Sequence, residues 1–140
     1  MTIDTQFYLR CILTLEQAYK LLQQKPAESI EYEIYRSAAV KEFEIILEQS
    51  GKLLKKVLKP FFHSNKAVDQ LTFKDLFRHA ANRGLLTTEE VERWLSYRDN
   101  RNNTAHDYGV DFANKTLLLL PQFIVDAAAL QVLISEQPHD

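Results

Sequence analysis

The chain has 140 residues, the size of one ordinary domain. Hydrophobic residues make up 46% and charged residues 26%, which places it among soluble globular proteins and excludes a disordered chain. Its 17 Lys and Arg against 19 Asp and Glu give a net charge of -2. That balance excludes a polyphosphate binder with a basic whole surface and leaves room for a local basic site.

Three glycines and four prolines supply little punctuation, so a few long helices are expected rather than many short strands. The first apolar stripe is Phe7, Cys11, Leu15, Ala18 and Leu22 at helical spacing, widened by Leu9, Ile12, Leu13 and Leu21; Pro26 ends it. A second helix is predicted from near Glu28 to about Lys59, roughly 45 Å long. Its stripe is Tyr32, Tyr35, Ala39, Phe43, Ile46, Leu53, Leu54 and Val57, with Gly51 a candidate soft point and Pro60 a stop. The segment FFHSNKAVDQ has no period and predicts a loop. A third helix follows, with Thr72 as N-cap, Phe73, Leu76, Phe77 and Ala80 on its inner face, and Gly84 at its end. In the fourth, Thr87 and Glu90 have capping-box spacing, and Val91, Trp94, Leu95 and Arg98 share one side. A fifth runs from Asp111 to about Glu136, interrupted by Pro121. Strand-like alternation and internal repeats are lacking. The expected architecture is an all-α, up-down bundle of about five helices forming a single domain over 1–140.

The lone cysteine, Cys11, excludes an intramolecular disulfide and a zinc site built on cysteine pairs. His63 and His139 have no metal-ligand partner at helical spacing, so no metal and no cofactor is expected. The N-terminus MTIDTQFYLR lacks the pattern of a signal peptide, and the purely apolar runs are short for a bilayer; a cytoplasmic protein without a membrane partner is the expectation.

Between the fourth and fifth helices lies YRDNRNNTAHDYG, residues 97–109, a dense polar cluster amid apolar helices. Arg98 and Arg101, three apart, share a helix face. Arg101 and His106, five apart, are rotated by about 140° on an unbroken helix. They converge only if the helix ends between them or if they meet counterparts from a second subunit. Asn102, Asn103 and Thr104 compete for backbone hydrogen bonds and favour an ending there. An imidazole beside a guanidinium suits metal-independent phosphodiester chemistry: one moves the proton, the other binds phosphate. The plainer alternative has Arg101 paired with Asp99 or Asp107 and His106 capping a helix end.

The run RNNTAHDY resembles the signature of HEPN domains (higher eukaryotes and prokaryotes nucleotide-binding): Arg, a polar residue, a short spacer, then His, here continued by one residue and Tyr108. The form is similar to that of HEPN proteins paired with a minimal nucleotidyltransferase, which include nucleotidyltransferase substrate-binding proteins and HepT-like toxins. AAVKEFEIILEQSGKLLKKVL and TFKDLFRHAANRGLL resemble other segments of that family, and the likeness spans roughly 5–135. It implies a helical bundle that dimerises with two motifs facing one cleft. It further implies Arg101 and His106 as ribonuclease residues, Asn102 as their polar support with Arg98 beside it, and Tyr108 as a hydroxyl to which a nucleotidyltransferase antitoxin transfers AMP. The implied substrate is RNA. The same family also contains non-catalytic partner subunits that bind or present a nucleotide, and an unrelated helical adaptor is a third class.

Other residues carry two readings each. Trp94 is either core or a cation–π partner of Arg98. The lysines of KLLKKVLK (Lys52, Lys55, Lys56, Lys59) either guide RNA or form a solvated face. The same holds for Arg78, His79 and Arg83. Tyr8, Tyr19, Tyr32 and Tyr35 are expected at the core edge with their hydroxyls out.

Overall fold

A computed structural model describes residues 3–103 and 110–137. Six α-helices form an all-α bundle: α1 (Gln6–Gln23), α2 (Ile30–Leu58), α3 (Asn65–Asp69), α4 (Phe73–Asn82), α5 (Thr88–Asn103) and α6 (Val110–Ser135), with a 3₁₀ turn at Lys59–Phe61. No strand occurs among the described residues. The 29-residue α2 is the central element, packed against α1, α4, α5 and α6, while α6 also packs on α1 and α5.

Local chemistry accounts for most of the helix starts. The Ser29 hydroxyl accepts from the Tyr32 amide at 3.1 Å. Thr72 and Asp75 form a reciprocal capping box at α4. Thr87 and Glu90 do the same at α5, with contacts of 3.1 and 2.9 Å. Each such cap satisfies amides that the first helical turn leaves without partners. Gly84 closes α4 with φ of 75°, a left-handed turn that a side chain disfavours.

The core is one cluster running through the bundle, including Leu15, Phe43, Leu54, Phe77, Trp94, Phe123 and Leu130. Aromatic rings join its halves: Trp94 lies 5.1 Å from Phe77 and 5.6 Å from Phe123, and Phe43 lies 4.6 Å from Phe123.

Four sequence expectations are corrected. The stretch read as a loop after α2 contains the 3₁₀ turn and α3. Ser64 caps α3 by accepting from the Ala67 amide at 3.1 Å, and Val68 is buried. Pro121 does not interrupt the last helix but sits inside α6 on its exposed side. The hydrogen bond it forgoes, worth about 3 kcal/mol with the attendant clash, is offset by the buried neighbours Leu120 and Phe123. On α1 the expected stripe is buried at Cys11, Leu15, Ala18 and Leu22, but its first member is not: Phe7 is 59% exposed and Tyr8 is fully buried in its place. Tyr8 therefore does not point its hydroxyl outward. Ser50 on α2 donates its own proton to the Ile46 carbonyl, so Tyr8 donates to the Ser50 oxygen, at 2.7 Å. Gly51, finally, does not soften α2, which is continuous through it. Its missing side chain lets Phe73 approach, and an added Cβ would lie 3.1 Å from that ring.

By length and composition α6 is the one described helix apolar enough to cross a bilayer. Its inner face instead builds the bundle core, and it carries a buried carboxylate, Asp126, held by residues of α5. Its outer face leaves Leu118 (83%), Val125 and Val132 exposed at seven-residue intervals.

Candidate active site

The C-terminal half of α5 is anchored to α6 from Arg93 into the start of the polar cluster. Asp126 of α6 is 4% exposed and accepts four hydrogen bonds. Arg93 donates two at 2.9 Å, Tyr97 donates one at 2.5 Å, and Gln122 donates one at 3.1 Å. Burial pushes the Asp126 carboxyl up, but the hydrogen bonds from Arg93, Tyr97 and Gln122 outweigh it and hold the group below its ordinary value. Burial, with the Asp126 hydrogen bond added, drives the Tyr97 phenol well above its usual range. One turn further along, the Asn100 amide donates to Thr116 at 3.1 Å, and Thr116 donates to the Phe112 carbonyl at 2.9 Å. These contacts set the register of α5 on α6 and so fix where Arg98 and Arg101 stand.

Arg98 and Arg101 do share a face, and both line a groove of about 940 Å³ between α2, the end of α5 and the start of α6. Arg101 does not pair with Asp99. Its Nε forms an ion pair with Glu44 of α2 at 3.0 Å, with both side chains about a third exposed. Asp99 instead meets Lys74 at 2.7 Å. Arg98 lies 5.3 Å from the ring of Phe73, while Trp94, the partner its spacing suggested, is buried in the core. His106, Tyr108 and the side chain of Asn102 lie outside the described residues, as do the proposed pairing of Arg101 with Asp107 and the end of the helix before His106. The backbone of Asn102 belongs to α5. The segment that carries His106 and Tyr108 joins Asn103 to Val110, and Val110 lines the groove.

The other basic groups resolve more plainly. Lys52 pairs with Glu48 at 3.2 Å and Lys55 with Asp69 at 3.9 Å; neither lines the groove. Arg83 covers Phe61 at 4.4 Å, and His79 packs edge-on against Phe62 at 5.1 Å, so this group shields the 3₁₀ turn. No cluster of metal-ligating side chains occurs among the described residues.

Sequence reasoning missed two sets of residues. One is the Asp126 anchor, whose signal is a single carboxylate in the apolar run LLLLPQFIVDAAALQVLI, where a buried charge demands partners. The other is the α2 wall of the groove, where Arg36, Lys41 and Glu44 stand on one side of the helix.

The family model for nucleotidyltransferase substrate binding protein like proteins matches residues 5–135. The chain belongs to that family. A curated protein of similar sequence is described as a probable ribonuclease HepT, from Haemophilus influenzae. It is 29% identical over 94 residues, which take in 67% of this chain and 63% of the relative's length. Among solved structures, a Haemophilus influenzae protein described as revealing the fold of a substrate binding domain of a nucleotidyltransferase superposes with a TM-score of 0.77. It is 23% identical, over 94% of this chain and 98% of its own, and the two share a fold.

Proposed function

We propose that the chain is a metal-independent endoribonuclease, the toxin of a cytoplasmic pair whose antitoxin is a minimal nucleotidyltransferase. The observation that carries this reading is the placement of Arg101 and Arg98 on the wall of an open groove, at the helix end that leads into the His106 and Tyr108 segment. A similar protein described as a probable ribonuclease supports it.

In the proposed reaction a base takes the proton of a ribose 2′-hydroxyl, and the resulting oxyanion attacks the adjacent phosphorus. The bond to the 5′-oxygen breaks, and an acid returns a proton to that leaving oxygen. The products are a 2′,3′-cyclic phosphate and a 5′-hydroxyl. His106 moves the protons. Arg101 binds the phosphate and stabilises the charge that builds on it, with Asn102 and Arg98 as polar support. One imidazole is one proton-transfer group, so a base and an acid together call for two copies of His106. A homodimer about a two-fold axis supplies them. The exposed apolar residues Leu118, Val125 and Val132 on the outer face of α6, beyond the charged Asp111 and Lys115, support such pairing.

In the same reading the Tyr108 hydroxyl attacks the α-phosphorus of ATP on the nucleotidyltransferase. Pyrophosphate leaves, the phenol proton passes to solvent, and the AMP-tyrosine blocks the cleft. A second reading, a non-catalytic partner that presents or binds a nucleotide, is favoured by the occupation of Arg101 by Glu44. The test that separates them is incubation of the purified protein with total RNA in EDTA, beside His106→Ala. Cleavage by the parent and none by the variant is expected. Cleavage that survives the substitution or requires a divalent metal defeats the mechanism, and no cleavage at all leaves the second reading.

A further inference from the structure

The α2 wall of the groove is a single stripe. Arg36, Val40, Glu44 and Glu48 recur every fourth residue, with Lys41 and Ile45 beside them. Its charges are segregated. The carboxylates lie toward the C-terminal end, and both are already engaged, Glu44 by Arg101 at 3.0 Å and Glu48 by Lys52 at 3.2 Å. The cations lie toward the N-terminal end. Among the described residues neither Arg36 nor Lys41 makes an ion pair. Arg36 rests 5.8 Å from the ring of Tyr32, a contact that leaves its charge uncompensated. Across the groove Arg98 likewise stacks on Phe73 without a counter-ion among the described residues. Three cations without counter-ions among the described residues thus line one open groove of about 940 Å³, whose lining also includes the apolar Val40, Ile45 and Phe112.

We infer that this groove is the track for a single-stranded RNA, whose backbone phosphates are taken by Arg36 and Lys41 from α2 and by Arg98 from α5. The inference rests on the ribonuclease reading and adds to it the path of the strand: away from Arg101 and toward the N-terminal half of α2. Arg36 and Glu44, the partner of Arg101, are eight residues apart, about 12 Å along the helix, so the track is longer than the site of one phosphate. Cations without counter-ions attract a polyanion and release its condensed ions on contact, while apolar lining residues suit sugar and base faces. Lys52 and Lys55, at the far end of α2, lack this character, since both already face carboxylates.

The test is fluorescence anisotropy of the full chain with a labelled, fully 2′-O-methylated RNA of about 12 nucleotides, a length several phosphate contacts cover. This probe cannot be cleaved, so binding is read apart from chemistry. At about 50 mM salt, Arg36→Ala with Lys41→Ala should weaken binding by about tenfold or more. The slope of log affinity against log salt should fall by about 1.4, two contacts at about 0.7 each for a single strand. Lys52→Ala with Lys56→Ala should stay within about twofold of the parent, since exposed lysines off the track release no extra ions. Lys41→Glu alone, at an exposed position, gives the same readout if the double variant folds poorly. Parental affinity and slope in the track variants overturn the inference. So does a parent that binds ATP through Arg36 and Lys41 but does not bind the oligonucleotide. The ribonuclease reading fails separately, through the EDTA and His106→Ala assay. Intact His106-dependent cleavage with unchanged anisotropy removes the track alone.

Discussion

Removing the Asp126 carboxylate should loosen the bundle at the joint that aims the candidate site. In Asp126→Ala the Tyr97 hydroxyl, on a residue 3% exposed, loses its acceptor and stays buried, which costs about 1–3 kcal/mol. Breaking a fully buried ion pair costs about 3–5 kcal/mol. The Arg93 side chain is 37% exposed and turns to water instead, so the net expectation is about 2–4 kcal/mol. Tyr97→Phe alone removes one hydrogen bond to a charged group, about 1.5–3 kcal/mol. The pair should not add. Once the hydroxyl is gone, Asp126→Ala no longer strands it, and a coupling of about 1–2 kcal/mol is expected. Urea denaturation followed by far-ultraviolet circular dichroism, with the buried Trp94 as a second probe 5.5 Å from Tyr97, measures all four corners of the cycle. The sign of the pH dependence follows from the same site. The folded carboxyl titrates below its unfolded value, so its contribution is complete above about pH 4, the unfolded range, and is lost as pH falls through the folded value. Asp126→Asn should flatten the acid limb of the stability curve. Additivity within about 0.5 kcal/mol, or an unchanged acid limb, refutes the claim that this network locks α5 to α6.

Glu44→Gln should cost less than about 1 kcal/mol of stability, because its pair with Arg101 is a third exposed. The same change adds one unit of positive charge to the groove and should tighten binding of the methylated RNA, read by anisotropy. Tyr8→Phe should cost about 1 kcal/mol by urea titration, since Ser50 keeps its bond to the Ile46 carbonyl and loses only the donor above it. Co-expression with the nucleotidyltransferase should raise the intact mass by AMP units and inhibit cleavage, and Tyr108→Phe should abolish the mass shift.

What was legible in the sequence is what local spacing encodes. The caps at Thr72 and at Thr87 with Glu90 act over three residues, and the structure forms both. The long stripe of α2 holds because its polar and apolar sides are distinct. The face of α1 was ambiguous for the opposite reason: Phe7, Tyr8, Leu9, Ile12 and Leu13 surround the helix with apolar atoms. The choice of Tyr8 over Phe7 is made by Ser50, 42 residues away, which accepts the phenol proton. The short α3 has too few residues to show a period and depends on one serine cap and the burial of Val68. At the site the shared face of Arg98 and Arg101 was readable, being a matter of three residues on one helix. Their partners were not. Spacing offered Trp94 and Asp99, and the fold supplied Phe73 and Glu44 from other helices.

The Glu44 contact bears on whether Arg101 can act as a phosphate clamp. A guanidinium has five N–H donors in a planar fork, and the ion pair engages the Nε edge. With that edge engaged, the two Nη groups can still present a pair of donors in one plane to a phosphate. A carboxylate that holds one edge fixes the plane of the fork and lowers the rotamer entropy lost when substrate arrives. If a phosphate instead displaces Glu44, the pair it breaks is about a third exposed and worth less than about 1 kcal/mol. Either way the contact is compatible with catalysis. In the proposed ribonuclease reading Glu44 is then a positioning residue for Arg101 rather than a competitor of the substrate.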